Sequence, residues 1–189
     1  MLICLTAFQW VLVDEFTLFL YMPVIGLAWL GFFIVSIFSL LELKKYKAIG
    51  RQSLVPSLIQ ASAFLVVFYV PFTALGINLD FKLHKVQREE VVERVNSGNL
   101  TPNVEHNSSL IKLGNLYPAL SAGGNEIVVE EHDGLKYLFF FTFRGILDSY
   151  AGFLYVPRGG KPTEYSDLGE SCCVEIEHLD GNWYFASHH

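Results

Sequence analysis

The sequence predicts an α+β membrane protein, in which a hairpin of two transmembrane helices precedes a short helix and a small antiparallel β-meander domain. Three observations lead to this fold class. Two long stretches near the N-terminus lack charged residues, the loop between them is basic, and two later Asp-Gly pairs each separate strand-like runs. The composition agrees, because 52% of the residues are hydrophobic and only 17% are charged, against about 25% in an ordinary soluble domain.

The two uncharged stretches are the predicted spans, at about residues 16–41 and 56–79. A hydrocarbon core about 30 Å thick needs about 20 apolar residues in an α-helix, and each stretch is long enough. The alternative is a pair of buried helices in a soluble protein. Such helices normally carry a polar stripe, which neither stretch has. Pro71 lies inside the second stretch and predicts a kink there.

The loop at residues 42–52 determines the predicted topology. It carries four basic residues and one acidic residue, whereas residues 1–13 carry no basic side chain. The positive-inside rule therefore places this loop in the cytoplasm and both termini outside the cytoplasmic membrane. Residues 1–13 lack the basic start and the cleavage site of a signal peptide. We expect them to be an interfacial segment or an extension of the first helix.

Residues 81–189 are the predicted extracytoplasmic domain, and residues 1–80 the membrane domain. An amphipathic helix is expected at about residues 84–97, followed by a loop-like connector with a possible strand in the run SLIKL. Asp-Gly between strand-like runs is a strong hairpin signal, because both turn positions favour positive φ. Five strands are predicted in meander order, with one face of the sheet packed and one in water, at about residues 126–132, 135–143, 152–157, 172–179 and 183–187.

The distribution of charge argues against one class of partner. Residues 81–189 contain 9 basic and 15 acidic side chains, so they carry the whole net charge of −6. Nucleic-acid binding needs a basic face, and no nucleic-acid partner is predicted. The expected partners are the lipid bilayer and a protein, with self-association through the spans as an alternative. Gly26 and Gly31 are small enough to allow close approach of helices.

Four residues are candidates for ligand binding. Arg144 ends a phenylalanine-rich strand, and Asp148 follows four residues later. Arg144 is expected either to pair with Asp148 and hold the turn, or to face outward and bind an anion, since its planar fork suits bidentate pairing. His132 directly precedes one Asp-Gly pair and His178 lies two residues before the other, so they would approach one another if the two hairpins were adjacent.

Cys172 and Cys173 are the redox candidates. Adjacent cysteines close only a strained ring, and strain makes a disulfide easier to reduce. On a strand, however, their side chains would point to opposite faces, so two separate thiols are the alternative. The sequence has no zinc-ligand spacing, phosphate-binding loop or nucleophile motif. No cofactor, metal or catalytic residue is therefore predicted.

Three functions are compatible with these features. The first is non-enzymatic: a membrane-anchored extracytoplasmic interaction or structural module, such as an accessory subunit or an immunity-type protein. The second is a small envelope hydrolase with a site near Arg144, Asp148, His132 and His178. A third possibility is assembly through the helices alone.

Several segments together carry a resemblance. The second span ends VPFTALGINLDFKL and is followed by REEVVERVNSGNL, LSAGGNEIVV, FFFTFRGILDSYAGFLY and DGNWYFAS. In this order the chain resembles a group of small bacterial two-span membrane proteins with an extracytoplasmic β domain, to which no function has been assigned. The likeness covers roughly residues 65–187. It implies a bacterial cytoplasmic membrane but no activity and no site residues.

Overall fold

The computed structural model describes residues 2–7, 9–44, 50–145, 149–169 and 174–188. The fold is α+β and divides into two compact units, Met1–Asn78 and Leu79–His189. The helices are α1 (Leu2–Ala7), α2 (Gln9–Leu43), α3 (Val55–Tyr69) and α4 (Phe72–Asn96), and two helices of four residues each follow at Ala122–Asn125 and Ser166–Gly169. The strands are β1 (Leu110–Lys112), β2 (Glu126–His132), β3 (Leu135–Arg144), β4 (Tyr150–Tyr155), β5 (Val174–Asp180) and β6 (Trp183–His188).

The first unit contains two helical segments that are long and apolar enough to cross a membrane. They are Met22–Leu43 within α2 and Gly50–Tyr69, which includes α3. Polar side chains join these helices. The Gln60 amide donates to the Phe32 carbonyl oxygen at 3.2 Å, and the Ser57 hydroxyl donates to the Ser39 carbonyl oxygen at 3.1 Å. These polar groups are therefore satisfied inside the helix pair.

The helix is interrupted at Val70 and Pro71, where a kink was predicted, so the predicted second span is not one continuous helix. α3 stops at Tyr69, and Val70 is extended, with φ −85° and ψ 118°. The residue before a proline is disfavoured in the α region because the proline ring clashes with it. The remainder of the predicted span and the predicted helix at 84–97 form one helix instead, α4.

The second unit contains a six-stranded antiparallel sheet in the order β1-β2-β3-β4-β6-β5. The expected meander was therefore wrong at its end, because β6 lies between β4 and β5. A tight turn joins β5 to β6, so these two strands must be adjacent in the sheet. The segment that joins β4 to β5 is long, so β4 and β5 need not be adjacent. β5 carries Glu175 and Glu177, and charged strands are typical of sheet edges. The run SLIKL supplies the short edge strand β1.

Both faces of the sheet are covered at its centre, where one wet face was expected. Along β3 the side chains from Tyr137 to Phe141 alternate between the faces, and all five are buried. On one face, Phe81 of α4 contacts the Phe153 ring, with centroids 5.4 Å apart. On the other face, Tyr165 stacks on Phe139 at 5.6 Å. The phenylalanine-rich run is therefore the core of the sheet.

Candidate functional site

Arg144 is held at the end of β3 by its neighbours. Its Nη1 donates to the Glu126 carboxylate at 3.1 Å and to the Gly123 carbonyl oxygen at 3.3 Å. Its guanidinium carbon lies 4.2 Å from the centre of the Phe141 ring. Arg144 therefore ties the end of β3 to the start of β2. The sequence offered no signal for Glu126 as its partner, and Asp148 lies outside the described residues.

The two candidate histidines lie far apart. β2, which carries His132, and β5, which carries His178, are separated by three strands, or roughly 19 Å at about 4.8 Å per strand. The hairpins are not adjacent, so the condition for a histidine pair is not met. His132 is exposed, with Nε2 3.5 Å from an Asp133 carboxylate oxygen. His178 Nε2 lies 3.0 Å from the Gly181 carbonyl oxygen.

Arg144 also lies far from both histidines. It ends β3, whereas the turn that follows His132 precedes the first residue of that strand. Ten residues of antiparallel strand span roughly 30 Å. The three described candidates therefore do not surround a common substrate. Cys172 and Cys173, like Asp148, lie outside the described residues, so their proposed roles stay predictions.

A charged cluster on α4 is the main feature that the sequence analysis missed. Asp80, His84 and Arg88 are spaced four residues apart, so they lie on one side of the helix. One Asp80 carboxylate oxygen lies 2.8 Å from His84 Nδ1, and the other accepts from Arg88 Nη2 at 2.6 Å. The four-residue spacing was visible in the sequence, but the burial of Arg88 was not.

Arg88 is the most deeply buried charge described, with 1% of its side chain exposed. Its Nη2 also donates to the Leu120 carbonyl oxygen at 3.3 Å, and its guanidinium carbon lies 4.2 Å from the centre of the Phe153 ring. Burial lowers the pKa of Arg88, and the Asp80 carboxylate opposes this shift. The cluster thus fastens α4 to the sheet, with the Asp80–His84 contact at its more exposed side.

A second polar region surrounds the end of β2 that carries His132. Here an open groove of about 570 Å³ is lined by loop residues 100–102 and 108–109 and by Glu130, Glu131, His132, Lys136 and Glu164. Much of its polar lining already serves the fold. Glu130 accepts from the backbone N–H and the hydroxyl of Ser166, and Lys136 Nζ donates to a carbonyl oxygen of α4 at 3.1 Å.

Glu164 and Tyr137 form the other fixed contact of this groove. The Tyr137 hydroxyl donates to the Glu164 carboxylate. Burial, together with this hydrogen bond, raises the pKa of Tyr137 to about 12. The same hydrogen bond lowers the pKa of Glu164. Within the described ranges, no three His, Cys, Asp or Glu side chains lie close enough to hold a metal ion.

No family model, curated protein or solved structure matches this chain. Function therefore has to be inferred from its own residues.

Proposed function

We propose that this chain is a membrane-anchored interaction module. α2 and α3 would insert into the bacterial cytoplasmic membrane, and the sheet unit would meet a protein partner outside the cytoplasm. The observation that supports this is the exposure of the two apolar helical segments. In the apolar 18-residue stretch of Met22–Leu43 only 11% is buried, and in that of Gly50–Tyr69 only 6%. The core helix of a soluble protein would be largely buried.

The exposed side chains are large, which makes water an unfavourable surrounding for them. Removing one Leu, Ile or Phe side chain from water gains about 1.5–3 kcal/mol. Contiguous apolar surface of this extent is typical of a membrane or protein interface. The exposed residues of α2 and α3 include Leu27, Leu30, Ile37, Phe38, Leu40, Leu58, Ile59, Leu65 and Phe68.

The hydrogen bonds of Gln60 and Ser36 are also compatible with a lipid surrounding. In a bilayer, polar groups need partners within the protein because no water is available. Gln60 is bonded both to the Phe32 carbonyl oxygen and to the Ser36 hydroxyl, at 3.2 Å each. Ser36 in turn donates to the Phe32 carbonyl oxygen at 2.8 Å. Interhelical bonds of this kind hold helices together in membranes.

The proposed orientation rests on charge. The basic loop at 42–52 would stay in the cytoplasm, which leaves the acidic second unit outside. An interaction role is preferred to a hydrolase because the described candidates for a hydrolytic site are held roughly 19–30 Å apart by the sheet. The resemblance to bacterial two-span proteins supports the same membrane.

The test is accessibility of single cysteines in intact cells. The three native cysteines are replaced by serine, and Glu105→Cys or Gln52→Cys is introduced, because both side chains are exposed. An impermeant maleimide should label the Glu105→Cys variant in intact cells and the Gln52→Cys variant only after permeabilisation. The reverse pattern would overturn the orientation. Recovery of the unmodified chain in the supernatant after ultracentrifugation without detergent would overturn the anchor itself.

A further inference from the structure

Strand β5 forms the outer edge of the sheet. In the described part of the chain, β5 pairs only with β6 and ends the strand order. Its five regular residues, Val174 to His178, are at most partly buried, and the four from Glu175 to His178 are exposed. An unpaired edge of this length presents backbone donors and acceptors that can pair with another strand. The direction of those groups follows from the rest of the sheet.

The hydrogen bonds of β6 show which of its residues face β5. The Val156 N–H donates to the Asn182 carbonyl oxygen at 2.8 Å, so the backbone of Asn182 points toward the β4 side. Alternate residues of a strand point their backbone groups to opposite neighbours. Phe185 and Ser187 therefore point their backbone groups toward β5, where their partners are Glu177 and Glu175.

The outward-pointing groups of β5 are then those of the remaining residues. Glu175 and Glu177 use their N–H and C=O groups on β6, which leaves those of Val174, Ile176 and His178 pointing away from the sheet. The side chains alternate in the same way. Ile176 pairs with the core residue Ala186 on one face, and the two glutamates lie on the opposite face, which is the face that packs against α4.

A second copy of this chain is disfavoured as the occupant of this edge. When the regular stretch of one β5 pairs fully with its symmetry mate, Ile176 lies opposite Ile176. Glu175 then lies opposite Glu177 of the second copy, and the same contact occurs again on the other side of the axis. Like charges directly opposite one another on a sheet are destabilising. The glutamates therefore disfavour self-pairing and favour a basic strand.

We propose that β5 receives an extended segment of a partner protein, in which basic residues alternate with apolar ones. This deepens the proposed interaction function and rests on it. The basic residues would lie opposite Glu175 and Glu177, for which no described basic side chain lies within ion-pairing distance. The apolar residues would lie beside Ile176, which is 36% exposed. Such strand addition gains affinity from the backbone and specificity from alternate side chains.

The probe is a fluorescent heptapeptide of sequence TKVKVKT, with TEVEVET as its matched acidic control. Both are titrated against the full chain in a neutral maltoside detergent, and binding is followed by fluorescence anisotropy. We expect the basic peptide to bind and the acidic peptide to bind at least about tenfold more weakly. The Glu175→Lys/Glu177→Lys variant should reverse this preference. Equal binding of the two peptides to the unmodified chain would overturn the proposed complementarity.

A proline variant separates strand addition from simple charge attraction. Ile176→Pro removes an outward N–H but no hydrogen bond to β6, and edge strands tolerate proline at such positions. It should weaken the basic peptide about tenfold, whereas the control Ile176→Val should leave binding unchanged. If Ile176→Pro and Ile176→Val bound equally well, the peptide would be held by charge alone and strand addition would be wrong.

Amide hydrogen exchange shows whether the proline variant keeps its sheet and where the peptide binds. The β6 amides should stay protected in Ile176→Pro, and bound peptide should protect the Ile176 and His178 amides of the unmodified chain. Absence of that protection at saturation would overturn the assignment to β5. The peptide experiment and the cysteine-labelling experiment test different proposals. If the peptide bound in detergent but the labelling pattern were reversed, the proposed orientation would be refuted and the binding site at β5 would be retained.

Discussion

The pair formed by Asp80 and Arg88 allows a prediction about the order of two mutational effects. The two side chains share a 2.6 Å contact but differ in burial, with Arg88 1% and Asp80 36% exposed. Removing one member leaves the other charge alone in its own surroundings. Asp80→Ala leaves a guanidinium without its anion in the interior. Arg88→Met leaves a carboxylate that water and His84 still reach.

The magnitudes follow from this difference. Breaking a buried ion pair by removing one partner costs about 3–5 kcal/mol. Asp80→Ala should fall near the lower end, about 3 kcal/mol, because the Leu120 carbonyl oxygen and the Phe153 ring stay beside the guanidinium. Arg88→Met loses a charge-assisted hydrogen bond but fills the same space with an apolar chain. We expect it to cost about 1–2 kcal/mol.

The double variant tests whether the unpaired guanidinium causes the loss of stability. Asp80→Ala/Arg88→Met should be more stable than Asp80→Ala alone, because the second substitution removes the stranded charge. Neutral replacements of buried ion pairs are often tolerated in this way.

Amide hydrogen exchange with mass spectrometry can measure these effects on the full chain in a mild detergent. The opening free energy of peptides from β3 and β4 reports on the sheet directly, independently of the apolar helices. Asp80→Ala should lower this opening free energy the most, and the double variant and Arg88→Met should lower it less. If Arg88→Met proved more destabilising than Asp80→Ala, burial would not determine the cost of this pair and the reasoning would be wrong.

Three further predictions concern packing, pH and assembly. Gly152→Ala should lower the opening free energy of β3 by about 1–3 kcal/mol, because the new Cβ would collide with the Phe140 carbonyl oxygen of that strand; an unchanged value would contradict the packing. The pKa of Tyr137 is raised to about 12 from an ordinary value of 10.0, so the folded state holds this proton more tightly than the unfolded state. The contribution of this proton to folding stability is complete below about pH 10 and is lost as the pH rises toward about 12. The thermal unfolding midpoints measured at pH 9 and pH 11 should therefore differ less in Tyr137→Phe than in the unmodified chain. An equal difference in the two proteins would exclude Tyr137 as the cause. Neither Gly26 nor Gly31 has a neighbour within 4 Å of an added Cβ in the single chain, so both are open to a second chain. If the apolar helices drive assembly, Gly26→Leu/Gly31→Leu should reduce the oligomer size measured by light scattering in detergent, whereas Gly26→Ala/Gly31→Ala should preserve it.

Local sequence patterns predicted the elements that depend on local chemistry. The Asp133-Gly134 hairpin forms with φ of 51° and 77° at its two turn residues, as the dipeptide predicts, and the flanking strands occupy nearly the predicted residues. At the other hairpin, Asp180 still pairs with Trp183. The turn there lies one residue later than its Asp-Gly signal predicted.

The sequence by itself determined two long apolar segments, an acidic second unit and the positions of most strands, because hydropathy, charge and turn preference are properties of neighbouring residues. Only the tertiary structure decided that β6 lies between β4 and β5, that Arg88 is buried against Phe153 and that Arg144 pairs with Glu126. Each of these depends on residues far apart in the chain. These residues come together when the sheet buries its apolar faces, and no local sequence pattern predicts such contacts.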